Sequence, residues 1–102
     1  MTDTPIAIVT GGESGIGAAC VRALARAGAR VAFTYFKDAD AAAAVQRDAG
    51  GPAVALPIQC DVGDEAAVAA LFTATEQAFG TATWLVNSAG LNIALWSASA
   101  PL

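Results

Sequence analysis

Short apolar runs alternate along the chain with longer stretches in which apolar and small residues recur at helical spacing. Ile6-Ala7-Ile8-Val9 is continuous enough for a short strand buried on both faces, Ile6 to Thr10. Gly15 to Ala27 reads as a helix, with Ile16, Cys20, Ala23, Leu24 and Ala27 on one face, Arg22 and Arg26 off it, and Gly28 as C-cap. Arg30 to Tyr35 is a second strand. Asp38 or Asp40 caps a helix that runs through Ala49 and stops at Gly50-Gly51-Pro52. Ala53 to Gln59 is a third strand, and Pro57 within it requires an edge position or a bulge. Asp64 caps a helix to Phe79, with Val68, Leu71, Phe72, Thr75 and Phe79 at helical spacing and Gly80 as its stop. Trp84 to Asn87 is a fourth strand.

Strands alternating with helices through short connections imply right-handed crossovers and an α/β fold: a doubly wound parallel sheet with helices on both faces. The expected order is 3-2-1-4, with about four strands and about three helices. Residues 1–91 form one unit, and the tail 92–102 has no clean period and receives no assignment. The turn after the first strand then lies at the switch point of the sheet, where ligands sit in such folds.

Composition narrows the function classes. Net charge is −4, and Arg22, Arg26, Arg30, Lys37 and Arg47 are dispersed, so no basic patch for nucleic acid forms. No run of 18 apolar residues occurs and Met1 to Pro5 carries no basic leader, so the expectation is a cytoplasmic protein without membrane attachment. There is no His, and Cys20 and Cys60 lie far apart, which leaves no metal-ligand spacing and makes both cysteines small buried apolar residues.

The chemistry is concentrated in Thr10-Gly11-Gly12-Glu13-Ser14-Gly15-Ile16-Gly17, a glycine-rich turn between the first strand and the first helix. Glycines let backbone approach a pyrophosphate, and a helix start supplies unpaired N–H groups and a positive dipole end. The spacing G-x-x-x-G-x-G differs from the G-x-G-x-x-G fingerprint, and no Lys-Ser/Thr follows as in a P-loop. A tight turn without a ligand is the alternative for this segment alone.

Two further segments bear on it: Cys60-Asp61-Val62 after the third strand and Leu85-Val86-Asn87-Ser88-Ala89-Gly90 at the end of the fourth. In this order and spacing the chain resembles the short-chain dehydrogenase/reductase family, marked by T-G-x-x-x-G-x-G, a D-V pair and N-N-A-G. The resemblance spans about residues 5–91 and implies a Rossmann-like, dinucleotide-binding half. It implies that Gly11 to Gly17 carry the pyrophosphate, with Ser14, Gly15, Ile16 and Gly17 lending backbone donors. Asp61 would accept from the adenine amino group with Val62 packed on the ring, and Asn87, Ala89 and Gly90 would line the ribose. Asp61 as a turn cap and Asn87 as a sheet brace are the structural alternatives. Ser88 replaces the second Asn of N-N-A-G, and a hydroxyl has less reach than an amide, so weaker bracing of the neighbouring strands is expected.

NAD-preferring sites place a carboxylate at the end of strand two, about 20 residues after the glycines. Here that place falls near Tyr35, followed by Phe36 and Lys37. Lys37 can attract a 2′-phosphate through a charge-assisted bond of about 1.5–3 kcal/mol, which favours NADP(H) over NAD(H). Lys37 as an ordinary solvated lysine is the alternative, and Glu13 adds opposing negative charge near the phosphates.

The family's hydride transfer between cofactor and a carbonyl or alcohol uses Ser, Tyr and Lys, the last two as Tyr-x-x-x-Lys. The single Tyr and single Lys here, Tyr35 and Lys37, are two positions apart and cannot form that pair, so no catalytic residue is assigned. The reading favoured is the cofactor-binding N-terminal part of a reductase, inactive alone. A non-catalytic nucleotide-binding module and a partner-completed interaction module are the alternatives. With strand four at the sheet edge, Trp84-Leu85-Val86 would be open to self-association.

Overall fold

A computed structural model describes residues 4–88 and 92–95. The elements are β1 (Ile6–Thr10), α1 (Gly15–Arg26), β2 (Arg30–Tyr35), α2 (Ala39–Ala49), β3 (Ala55–Gln59), α3 (Glu65–Ala78), β4 (Trp84–Asn87) and β5 (Asn92–Leu95). The sheet order is β3-β2-β1-β4-β5. The first four of these are parallel in the expected 3-2-1-4 arrangement.

Each strand sends alternate side chains to opposite faces. Val9, Val31, Phe33, Ala55 and Val86 meet Ala18 and Val21 of α1 and Ala42 and Val45 of α2 on one face. Ile8 and Ala32 meet Leu71 of α3, Cys60 and Ala82 on the other. The continuous apolar strands are thus explained by burial on both sides, the condition of a parallel sheet. Pro57 sits in β3, which is an edge strand, so its missing N–H costs no ladder bond to a further neighbour.

Helix ends follow local side chains. The Asp38 carboxylate accepts from Ala41 N–H at 2.9 Å and starts α2. Asp64 accepts from Ala66 and Ala67 N–H at 3.0 and 3.4 Å and starts α3. In α3, Leu71 and Thr75 are buried as the spacing predicts, and the Thr75 hydroxyl is satisfied by the Leu71 carbonyl at 2.8 Å.

Two expectations are corrected. The fully buried residues of α1 are Gly17, Ala18 and Val21; of the expected face, Cys20 and Leu24 pack partly buried against the core, while Ile16, Ala23 and Ala27 are exposed. Small residues let α1 approach the sheet closely, and Ile16 is rotated outward to 59% exposure. The outer edge of β4 is also not open: β5 pairs with it antiparallel, with Trp84 opposite Leu95 and Asn87 opposite Asn92. The route to self-association through β4 is therefore occupied by the chain's own residues 92–95, part of the segment that the hydrophobic pattern left without assignment. No helix among the described residues is long and apolar enough to cross a membrane.

Phe33 is fully buried at the centre of the larger core cluster. Phe33→Ala is expected to cost about 3–5 kcal/mol, most of the stability of a domain this small. Asp64→Ala removes only a helix cap and should cost about 1 kcal/mol. Urea unfolding of both variants checks the difference.

Candidate functional site

At the C-terminal ends of β1, β2 and β3 the chain encloses a cavity of about 210 Å³. The turn after β1 contributes Thr10, Gly11 and Glu13; the end of β2 contributes Thr34, Tyr35 and Phe36; the segment after β3 contributes Cys60, Asp61 and Val62. Sites on doubly wound sheets form at this end because the strands diverge into loops there, beside the switch point.

The turn is shaped by bonds to β2. Gly11 N–H donates to the Thr34 hydroxyl at 2.8 Å, and Gly12 N–H donates to the Thr34 carbonyl at 2.9 Å. Gly11 and Gly15 hold φ of +67° and +60°, the left-handed region that favours glycine. Gly17 serves a different end: a Cβ there would lie 2.0 Å from the Gly11 carbonyl oxygen, so only glycine lets α1 start so close to the turn. Around Gly15 nothing lies within 4 Å of where a Cβ would be.

Ser14 is the N-cap residue of α1 in extended conformation, and its side chain makes no capping bond. The first donor into the helical ladder is Ala18 N–H, to the Ser14 carbonyl at 3.2 Å. The N–H groups of Gly15, Ile16 and Gly17 precede it and have no intrahelical carbonyl to reach. With Ser14, Gly15 and Ile16 exposed, the helix start keeps donors and dipole available to an anion.

Asp61 caps a turn and lines the cavity. Its Oδ1 accepts from Gly63 N–H at 2.9 Å, which closes the turn leading to α3. Val62 beside it is 52% exposed and Phe36 across the cavity 54%, so large apolar side chains stand at the rim rather than in the core.

Asn87 ends β4 opposite Thr10 of β1, and the Thr10 hydroxyl donates to Asn87 Oδ1 at 3.1 Å. Ser88, at the second position of the N-N-A-G element, reaches back to the strand-one side of the turn. Its hydroxyl donates to the Thr10 carbonyl at 2.5 Å, with the Gly11 carbonyl 3.3 Å away. Ala89 and Gly90 lie outside the described residues.

Gly11, Tyr35, Asp61 and Val62 are therefore brought together, with Ser14 to Gly17 forming the adjoining helix start. Lys37 is not among the lining residues; its Nζ lies 5.3 Å from the centroid of the Phe36 ring. Glu13, Phe36 and Cys60, neighbours of the predicted site residues, also line the cavity, and Thr34 is the lining residue that the sequence reading did not single out. Thr34 carried a signal, as a polar residue inside an apolar strand. Cys60 is buried, and burial first, then the negative charge of Asp61 and Asp64, push its thiol pKa above the ordinary value.

A family model described as enoyl-(acyl carrier protein) reductase matches residues 11–100. An NADP-dependent (R)-specific alcohol dehydrogenase of Lentilactobacillus kefiri is 41% identical over 88 residues, 86% of this chain and 34% of that protein. A solved short-chain dehydrogenase/reductase from Serratia marcescens superposes with a TM-score of 0.78 at 42% identity, covering 84% of this chain and 36% of its own. A blue fluorescent protein from a metagenomic library, crystallised with NADPH, superposes with a TM-score of 0.73 at 36% identity, over 81% of this chain and 35% of its own. The chain spans about a third of the length of the curated relatives it matches.

The raised thiol of Cys60 has a readable consequence. Alkylation followed by mass spectrometry at neutral pH should modify half-buried Cys20 ahead of Cys60. Because the folded-state value lies above the unfolded one, the unfolded chain ionises this thiol first. Its contribution to stability is complete below the ordinary value of 9.0 and declines as pH rises past it. Thermal melts with and without Cys60→Ser across that range check the sign.

Proposed function

The chain belongs to the short-chain dehydrogenase/reductase family of oxidoreductases, and from that premise we propose that it is the part that binds NADP(H). The observation that carries this is the cavity between the glycine turn and the ends of β2 and β3, continuous with open donors at the start of α1. The pyrophosphate would lie over Ser14, Gly15 and Ile16, with Gly17 setting the approach of the helix. Adenine would enter between Val62 and Phe36 and present its amino group to Asp61. Tyr35 would stand beside the adenosine ribose, Asn87 would face the nicotinamide side with Ala89 and Gly90, and Lys37 at the rim would attract a 2′-phosphate.

Bound there, NADP(H) supplies or accepts the hydride exchanged with a carbonyl or alcohol. The chain's own residues bind and orient it. Asp61 holds the adenine edge, Thr34 and Ser88 keep the turn in shape, and the helix start places positive potential under the phosphates. Tyr35 ends β2 and Lys37 lies two residues beyond it, a spacing that does not make the Tyr-x-x-x-Lys pair of the family. We assign the proton chemistry of a complete reductase to residues other than these.

Support for NADP(H) over NAD(H) comes from the absence of a carboxylate at Tyr35, Phe36 and Lys37 and from the charge of Lys37. Calorimetric titration of the chain with NADPH and NADH tests the reading, NADPH being expected to bind more tightly. Lys37→Ala should weaken NADPH about fivefold, as befits an exposed charge, and leave NADH nearly unchanged. Asp61→Ala should weaken both about tenfold. Equal affinity for the two cofactors would remove the preference. No binding of either would transfer the chain to the partner-completed interaction reading.

A further inference from the structure

The cavity has a charged wall that the motifs do not account for. Glu13 projects from the glycine turn, and its Oε2 accepts from the backbone N–H of Phe36 at 3.1 Å. Phe36 is the first residue beyond β2, so this N–H stands where the chain leaves the sheet. Glu13 Oε1 has no hydrogen-bond partner among the described residues. The side chain is half-buried, lines the same cavity as Tyr35 and Phe36, and makes no ion pair among the described residues. Lys37, the cation next to Phe36 in sequence, has its Nζ over the Phe36 ring.

A carboxylate is thus delivered to the end of β2 after all, from the turn and not from the strand. We propose that Glu13 is a specificity-determining residue at the ribose end of the site, where its unpartnered oxygen accepts from a ribose hydroxyl. This rests on the cofactor reading of the cavity. A 2′-hydroxyl can donate to that oxygen. A 2′-phosphate has only acceptors and negative charge to offer, and it meets a carboxylate already seated on the Phe36 N–H. NADP(H) must move Glu13 off the Phe36 N–H, and NAD(H) need not. Glu13 therefore limits the NADP(H) preference that Lys37 provides.

The test compares the intact chain with E13Q and E13A by titration with NADPH and NADH. Gln keeps an acceptor for the Phe36 N–H while removing the charge, so the turn retains its tether. NADPH should bind E13Q about fivefold more tightly, the scale of one exposed charge contact, with NADH unchanged or weaker. E13A should shift the ratio in the same direction, which keeps the proposal open to refutation should E13Q fold poorly. An unchanged NADPH-to-NADH ratio in the folded variants overturns it. Failure of every form, the unaltered chain included, to bind either cofactor overturns the cavity reading instead, a separate result.

Discussion

The paired hydrogen bonds between Thr34 and the glycine turn are the constraint on which the rest of this site depends. Gly11 and Gly12 turn their N–H groups back onto one residue of β2, at 2.8 and 2.9 Å. That fixes the path of the chain as it leaves β1 and points α1 away from the sheet edge. Thr34 is only 2% exposed, so these bonds form in a dry setting where an unmet partner is costly. Ser88 reinforces them from the other side through the Thr10 carbonyl. The turn is therefore held from both neighbours of β1.

Much of this was legible beforehand. The strands Ile6–Thr10, Arg30–Tyr35 and Trp84–Asn87 coincide with their apolar runs because both faces of each are covered, which leaves no polar alternation to misread. Asp38 and Asp64 marked helix starts because a short carboxylate at an N-cap has few other uses. The face of α1 was set too far round the helix, which kept Cys20 and Leu24 on the core but put exposed Ile16, Ala23 and Ala27 there in place of Gly17, Ala18 and Val21. Close packing of helix on sheet at this turn demands Gly17 and Ala18, and the larger Ile16 stays outside. Residues 92–95 could not be placed from their pattern, since a four-residue strand takes its definition from the partner it pairs with.

The site was legible where a residue's role is local and hidden where it spans the sheet. Glycines with positive φ announce themselves in sequence, and so does a D-V pair after a strand. The link from Glu13 to Phe36 crosses 23 positions and carries no spacing rule. The same holds for Ser88, whose partner Thr10 lies 78 positions away. Such contacts follow from topology, which places the exits of β1, β2 and β4 side by side.

The placement of β1 between β2 and β4 also has a consequence for how the protein is made. β1 leaves the ribosome before β2 and β4, and its pairing with β2 is available early. Its other edge waits for β4, and Thr10 and Asn87 are 77 residues apart. At about 5–20 residues per second that interval lasts roughly 4–15 s, far longer than a hairpin needs to close. For those seconds an apolar strand edge at the centre of the future sheet stands unpaired, which is the interval in which a wrong strand can pair with it.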